Sequence, residues 1–128
     1  ERAWAEHGIG GIRAEARAGY PTIRRVGLPA LRSRLGRFDD PADALRWTLV
    51  SLMATVSDTC LVARGGLDAL TSVQRWAAGV RGRSPGPLAL VNELRDADAW
   101  FTARRWSPGG SADLLAATLF AHEAFVGD

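Results

Sequence analysis

The chain has 128 residues, 47% of them hydrophobic, with sixteen basic and fourteen acidic side chains for a net charge of +2. This composition describes one globular domain able to bury a core without disulfides, and it excludes a disordered chain. It also lacks any run of about 18 apolar residues, so no transmembrane helix is expected, and the opening Glu1-Arg2-Ala3-Trp4 has no apolar signal-peptide region.

Leu and Ala dominate, β-branched residues are sparse, and no stretch alternates with period 2. The expected fold class is therefore all-α, a single compact domain over residues 1–128 with about six helices. A first helix is predicted from Arg2 to Ala18, broken by Gly8, Gly10 and Gly11. A second runs from Pro21 to Leu35, where Pro29 is expected to kink or split it. A third starts at Asp39 or Asp40 as cap, with Pro41 in its first turn. Its apolar face is Leu45, Leu49, Leu52, Met53 and Val56. Thr48, Ser51 and Thr55 form a second stripe of hydroxyls, which reads first as a face towards solvent or another helix.

Gly65-Gly66 marks a break, and a fourth helix is predicted from Leu67 to Val80, with Leu67, Leu70, Val73, Gln74 and Ala77 on one side. The Gly79–Pro87 segment reads as a loop. A fifth helix spans Leu88 to Arg104, with Val91, Leu94 and Phe101 inward, and ends before Ser107-Pro108-Gly109-Gly110. The last starts at Ser111 or Ala112 and reaches Val126, with Leu114, Leu115, Thr118, Leu119, His122 and Phe125 on one face. The chain has no starting Met and opens inside a helical pattern, so it reads as a fragment or processed piece.

Three segments hold candidate chemistry. In Ser107-Pro108-Gly109-Gly110-Ser111-Ala112-Asp113, a Gly pair permits close backbone approach just before a helix N-terminus, where N–H groups favour an anion. Plain capping by Ser111 with Asp113 in the first turn explains the same residues. In Asp58-Thr59-Cys60-Leu61-Val62-Ala63-Arg64-Gly65-Gly66, Asp58 suits a metal or positive charge and Arg64 a phosphate. The plainer alternative is that both satisfy helix ends or each other. In Gly11–Pro21, Arg13, Glu15 and Arg17 are either surface charges or the edge of a site.

All sixteen basic residues are Arg, scattered among acids. That is not the one-sided footprint of a nucleic-acid binder, but Arg suits bidentate phosphate recognition. With no Lys, the chain has no ammonium for a Schiff base. His7 and His122 lack metal-ligand spacing, so zinc is not expected. Cys60, the single cysteine, reads as a small buried hydrophobe, makes no internal disulfide and fits a cytoplasmic setting. Trp100 and Trp106 lie near the Gly-Gly segment and suit core packing or stacking on a base.

The ordered blocks Glu15–Pro21, Leu28–Arg32, Leu52–Ala54, Asp58-Thr59, Arg64–Gly66 and Ser107–Thr118 resemble the C-terminal half of the triphosphoribosyl-dephospho-CoA synthases. The resemblance implies an all-α domain that is half of a larger helical fold. It implies ATP and 3′-dephospho-CoA as substrates, adenine as leaving group, and service to malonate decarboxylase or citrate lyase. It further implies Asp58, Asp113 and Glu15 as catalytic carboxylates, with Asp58 and Asp113 also holding Mg²⁺. Arg17, Thr59, Arg64, Gly65, Gly66, Ser107, Gly109, Gly110 and Ser111 would bind phosphate. The chain departs from the family pattern at Ser57, where an acid is usual, at Cys60, where Asn is usual, and at Ala63, where His is usual. The family also has an upstream half with an Asn-Thr-His-Lys-Gly-like segment. Expected partners are therefore a complementary half or a second copy, and the alternative function is a non-catalytic binding or assembly domain.

Overall fold

The computed structural model describes residues 20–126, with side chains described from 20 to 124. The helix predicted over Arg2–Ala18 and its glycines lie outside this range. The described residues form five α-helices and no strand, preceded by a π-helical turn at Ile23–Gly27. We label the helices α1 (Leu28–Phe38), α2 (Pro41–Thr55), α3 (Thr59–Arg83), α4 (Pro87–Arg104) and α5 (Gly109–Val126). No described helix is long and apolar enough to cross a membrane.

Pro29 does not split the run as expected, which stays helical from 21 to 38, but a local distortion precedes it. It lacks an N–H and sits in the first turn of α1, where none is needed. The turn before it widens to π geometry, with the Leu28 N–H bonded to the Ile23 carbonyl five residues back. The widened turn brings Gly27 against Thr118 of α5, and any Cβ on Gly27 would overlap the Thr118 hydroxyl. Gly27→Ala is therefore expected to lower stability by about 2 kcal/mol through overpacking, read by urea unfolding. Adding Thr118→Ala should recover part of that loss.

α2 is the hub, packing against the π turn, α1, α3, α4 and α5. The Asp40 carboxylate caps it by accepting from the Asp43 N–H, as its sequence suggested. The single apolar face expected for it is too narrow. Ala44, Trp47, Val50, Leu52 and Met53 are buried, while Leu45, Leu49 and Val56 are only partly so. Thr48 and Ser51 are also buried, and their hydroxyls donate back to the Ala44 and Trp47 carbonyls. A buried hydroxyl satisfied by its own helix leaves the side chain free to pack, so Thr48 and Ser51 serve helix packing, while Thr55 is exposed.

This hub divides the core. On one side Trp47, Val50 and Met53 meet Leu61, Val73, Val80, Leu90 and Phe101. On the other, Leu52 meets Ile23, Leu28 and Leu114 beneath α5. A third tie joins α1, α2 and the α3–α4 connection. Buried Arg34 donates from Nε (2.6 Å) and Nη2 (3.0 Å) to Asp43, and from Nη2 to the Pro85 carbonyl (2.8 Å). Its guanidinium lies between the rings of Phe38 and Trp47, 4.4 and 4.8 Å from their centroids.

Both ends of α3 differ from expectation. α3 continues through Gly79 and Gly82 to Arg83, leaving only Ser84–Gly86 as a connection. Val80, fully buried, anchors those last turns and outweighs the propensity cost of the two glycines. α3 also begins at Thr59, eight residues before Leu67. The predicted break is present inside it, because Gly66 has φ 72° and ψ −169°. Only glycine adopts that backbone readily. Leu67 is correspondingly exposed, and Gln74 donates to the Val56 carbonyl at the end of α2.

Candidate functional site

Two of the three sequence signals meet at one carboxylate. Asp58 is the N-cap of α3, and Oδ1 accepts from the N–H groups of Cys60 (3.0 Å) and Leu61 (3.3 Å). The start of α5 arrives from the other side. Oδ1 also accepts from the Gly110 N–H (3.2 Å), while Oδ2 accepts from the Ser111 N–H (2.8 Å) and hydroxyl (2.9 Å). One carboxylate thus takes five donors from two helix N-termini. Asp58 is 1% exposed and Ser111 fully buried. Its charge is stabilised there by the positive ends of both helices.

The Gly pair exists for this approach. A Cβ on Gly110 would lie 3.1 Å from Asp58 Oδ1, and one on Gly109 would lie 2.8 Å from Cys60 Sγ. The close backbone approach expected of Gly109-Gly110 is real, but the anion it meets is the protein's own Asp58. Cys60 is partly buried against it, as a small side chain at that contact must be. Gly65 is explained in the same way. A Cβ there would run into the Trp106 indole, which turns across from the α4–α5 connection.

This geometry bears on several expectations. Asp58 has no lone pair directed at an outside ligand, so it does not fit as a direct Mg²⁺ ligand or as a carboxylate touching a sugar. The Gly110 and Ser111 donors are engaged by Asp58 and do not form an open phosphate cradle. Among the described residues no group of three or more His, Cys, Asp or Glu side chains is placed to hold a metal. Asp113 is exposed, and Arg64 is exposed in the short helical segment that Asp58 caps; neither side chain makes a hydrogen bond or ion pair among the described residues. Thr59 is half-buried, while Ser107 and Gly66 are exposed. Glu15 and Arg17 lie outside the described residues.

The outward-facing candidates therefore surround a closed knot. Thr59 follows Asp58 directly, and Ser107 and Asp113 flank the Gly pair. Beside them lies a groove of about 410 Å³ between α2 and α4, walled by Leu49, Met53, Phe101 and Trp106 and edged by Asp98 and Ser107. Trp100 and Trp106 meet edge to face at 5.4 Å, and the Arg104 guanidinium lies 5.7 Å from each ring. Both tryptophans are thus held by aromatic and cation–π contacts within the protein. Sequence reading misses the Asp58–Ser111 pairing: Ser111 reads as the cap of its own helix, but α5 begins at Gly109 and the Ser111 hydroxyl donates to Asp58 instead. The missing signal was that one cap serves two helices.

Comparison with known proteins identifies the family. The family model for ATP:dephospho-CoA triphosphoribosyl transferase (CitG) matches residues 1–127. A 2-(5″-triphosphoribosyl)-3′-dephosphocoenzyme-A synthase of Pectobacterium atrosepticum is 42% identical over 118 residues, covering 92% of this chain and 38% of that protein. One from Klebsiella pneumoniae is 40% identical over 126 residues, covering 94% of this chain and 40% of its own length. A probable synthase of Azotobacter vinelandii is 40% identical over 121 residues, covering 94% and 41%. The chain spans about two fifths of the length of these curated relatives. No solved structure gives a significant match. On the match over residues 1–127, the chain belongs to the ATP:dephospho-CoA triphosphoribosyl transferase family.

Proposed function

We propose that this chain contributes the Asp58–Ser111 portion of a triphosphoribosyl-dephospho-CoA synthase site. The full reaction moves the triphosphoribosyl group of ATP to 3′-dephospho-CoA and supplies the prosthetic-group precursor of malonate decarboxylase or citrate lyase. The observation that carries this reading is that the two family blocks around Asp58 and Gly109–Ser111 are joined by one carboxylate. In the reaction the bond from ribose C1 to adenine breaks and a bond from C1 to an acceptor hydroxyl oxygen forms. The hydroxyl proton passes to a base, and the leaving adenine gains a proton. Positive charge develops on the sugar, so a carboxylate beside C1 lowers the barrier.

Within this chain Asp113 is the exposed carboxylate suited to that role, and Arg64 the exposed cation suited to the triphosphate. Asp58 acts as a positioning residue that fixes the two helix starts bearing Thr59 and Asp113. Mg²⁺ is proposed to enter bound to the triphosphate, since Mg²⁺ sites are commonly completed by substrate phosphates. Glu15 and Arg17 remain candidates from the family pattern. The setting is the cytoplasm, and the remainder of the site comes from a complementary part of the family fold or a second copy.

A non-catalytic binding or assembly domain is the second reading, favoured by the full occupancy of Asp58 and by Cys60 and Ala63 in place of the family's usual Asn and His. Adenine release from ATP in the presence of dephospho-CoA separates the two. It is expected when this chain is joined to the remaining part of the family fold, with Asp113→Asn reducing it about 100-fold or more, as for loss of a group stabilising transition-state charge. No release in that setting would leave the binding-domain reading.

A further inference from the structure

α5 is too apolar for the place it occupies. From Leu114 to Ala121 its only polar side chain is Thr118, which is fully buried and bonded to the Leu114 carbonyl. A helix apolar on every face belongs inside a fold. Yet Ala116 is exposed and Phe120 is 75% exposed. Grooves run along both flanks. One, of about 420 Å³, is walled by Leu31, Leu35, Leu45 and Leu119, with His122 at its edge. The other, of about 520 Å³, is walled mainly by Tyr20, Leu28, Ala117, Phe120 and Ala121, with Arg24 the one charged residue lining it. At 100° per residue, Leu119 and His122 lie on one side of the core-facing Leu114–Thr118 line, and Phe120 and Ala124 on the other. α5 is thus a ridge between two apolar grooves.

We infer that this ridge is the docking surface for the part of the family fold outside the matched region, and that docking makes α5 a central helix of that fold. The occupant follows from length. The Klebsiella pneumoniae relative, of which this chain covers 40%, carries the other 60% as further sequence. An all-α fold of that size needs an interface with its other part. Paired grooves on either side of a helix accept two helices straddling it, each packing an apolar face at the usual interhelical spacing. A second copy of this chain fits less well, because it would have to bring its own ridge against this one. The inference rests on family membership and does not depend on the transfer reaction.

The test compares Phe120→Asp in two settings. In the isolated chain the substitution is expected to leave the thermal midpoint within about 1 °C, because the side chain is exposed, and to reduce binding of a hydrophobic-surface dye. In a chimera carrying this chain in place of the matched segment of the Klebsiella pneumoniae relative, it should lower the midpoint by about 5 °C or more. If the chimera does not fold, Asp is placed at the aligned position of the intact relative and the same drop is expected there. A loss of midpoint in the isolated chain would mean that the ridge is covered from within, and would overturn the inference. So would a stable dimer of the isolated chain dispersed by Phe120→Asp, or an unchanged midpoint in the longer protein. Because no readout is activity, failure here is separable from failure of the transferase reading.

Discussion

Asp58→Ala is expected to lower the free energy of unfolding by about 4 kcal/mol, a large fraction of the roughly 5–15 kcal/mol that stabilises a typical domain. The change removes the acceptor for four N–H groups and one hydroxyl at once. Ser111 is fully buried and water has no ready route to replace the lost partner. Asp58→Asn should be almost as damaging, at about 3 kcal/mol. Each carboxylate oxygen faces at least two donors, so whichever way the amide turns, its NH₂ meets N–H or O–H groups. The charge that complements two helix dipoles is lost as well. Ser111→Ala removes one hydroxyl donor and should cost only about 1 kcal/mol. Urea unfolding of these variants measures the series. Asp58→Asn behaving like wild type would show that the five-donor arrangement does not hold the helix starts together.

The second large effect concerns a pair with no part in the candidate site. Asp43→Ala leaves the Arg34 guanidinium buried, with the Pro85 carbonyl as its remaining hydrogen-bond acceptor, and is expected to cost about 4 kcal/mol. Arg34→Lys should cost about 2 kcal/mol. An ammonium cannot make the two-pronged contact to Asp43 while lying flat between Phe38 and Trp47. Replacing both partners, as Arg34→Met with Asp43→Leu, should recover most of the loss, because two apolar side chains need no compensating partner. Chemical denaturation of the two single variants and the double variant gives the coupling energy. Additive losses would mean that the two residues act independently.

The fold was legible where local chemistry and packing agree. Asp40-Pro41 marks the start of α2, Pro29 marks a disturbance, and Gly65-Gly66 marks a break whose left-handed residue is Gly66. It was less legible where burial overrides composition. Gly79 and Gly82 read as loop residues, but Val80 is fully buried and holds them helical. Leu45 looks as apolar as Leu52, yet only α5 and the π turn decide which of them is enclosed. Arg34 and Asp43 carried no signal, since a single Arg and a first-turn Asp nine residues apart look like ordinary surface charges. At the candidate site the residue types were read and the partners were not. Asp58 was seen as an anion in search of a cation, and Gly109–Ser111 as donors in search of an anion. Only the tertiary structure, 53 residues apart in sequence, matches one to the other.

That separation also sets an order of events during folding. Closing a loop of 53 residues costs about 3.5 kcal/mol in its length-dependent part alone, before any contact across it is gained. Until residues 110 and 111 arrive, Asp58 holds only the two N–H groups of its own helix. The first half of the bundle can form from neighbouring contacts, because α1, α2 and α3 follow one another and pack together. The knot cannot, and it closes only when a late portion of the chain has been made. The Asp58 corner is therefore a late joint of the bundle, completed only once Ser111 is in place.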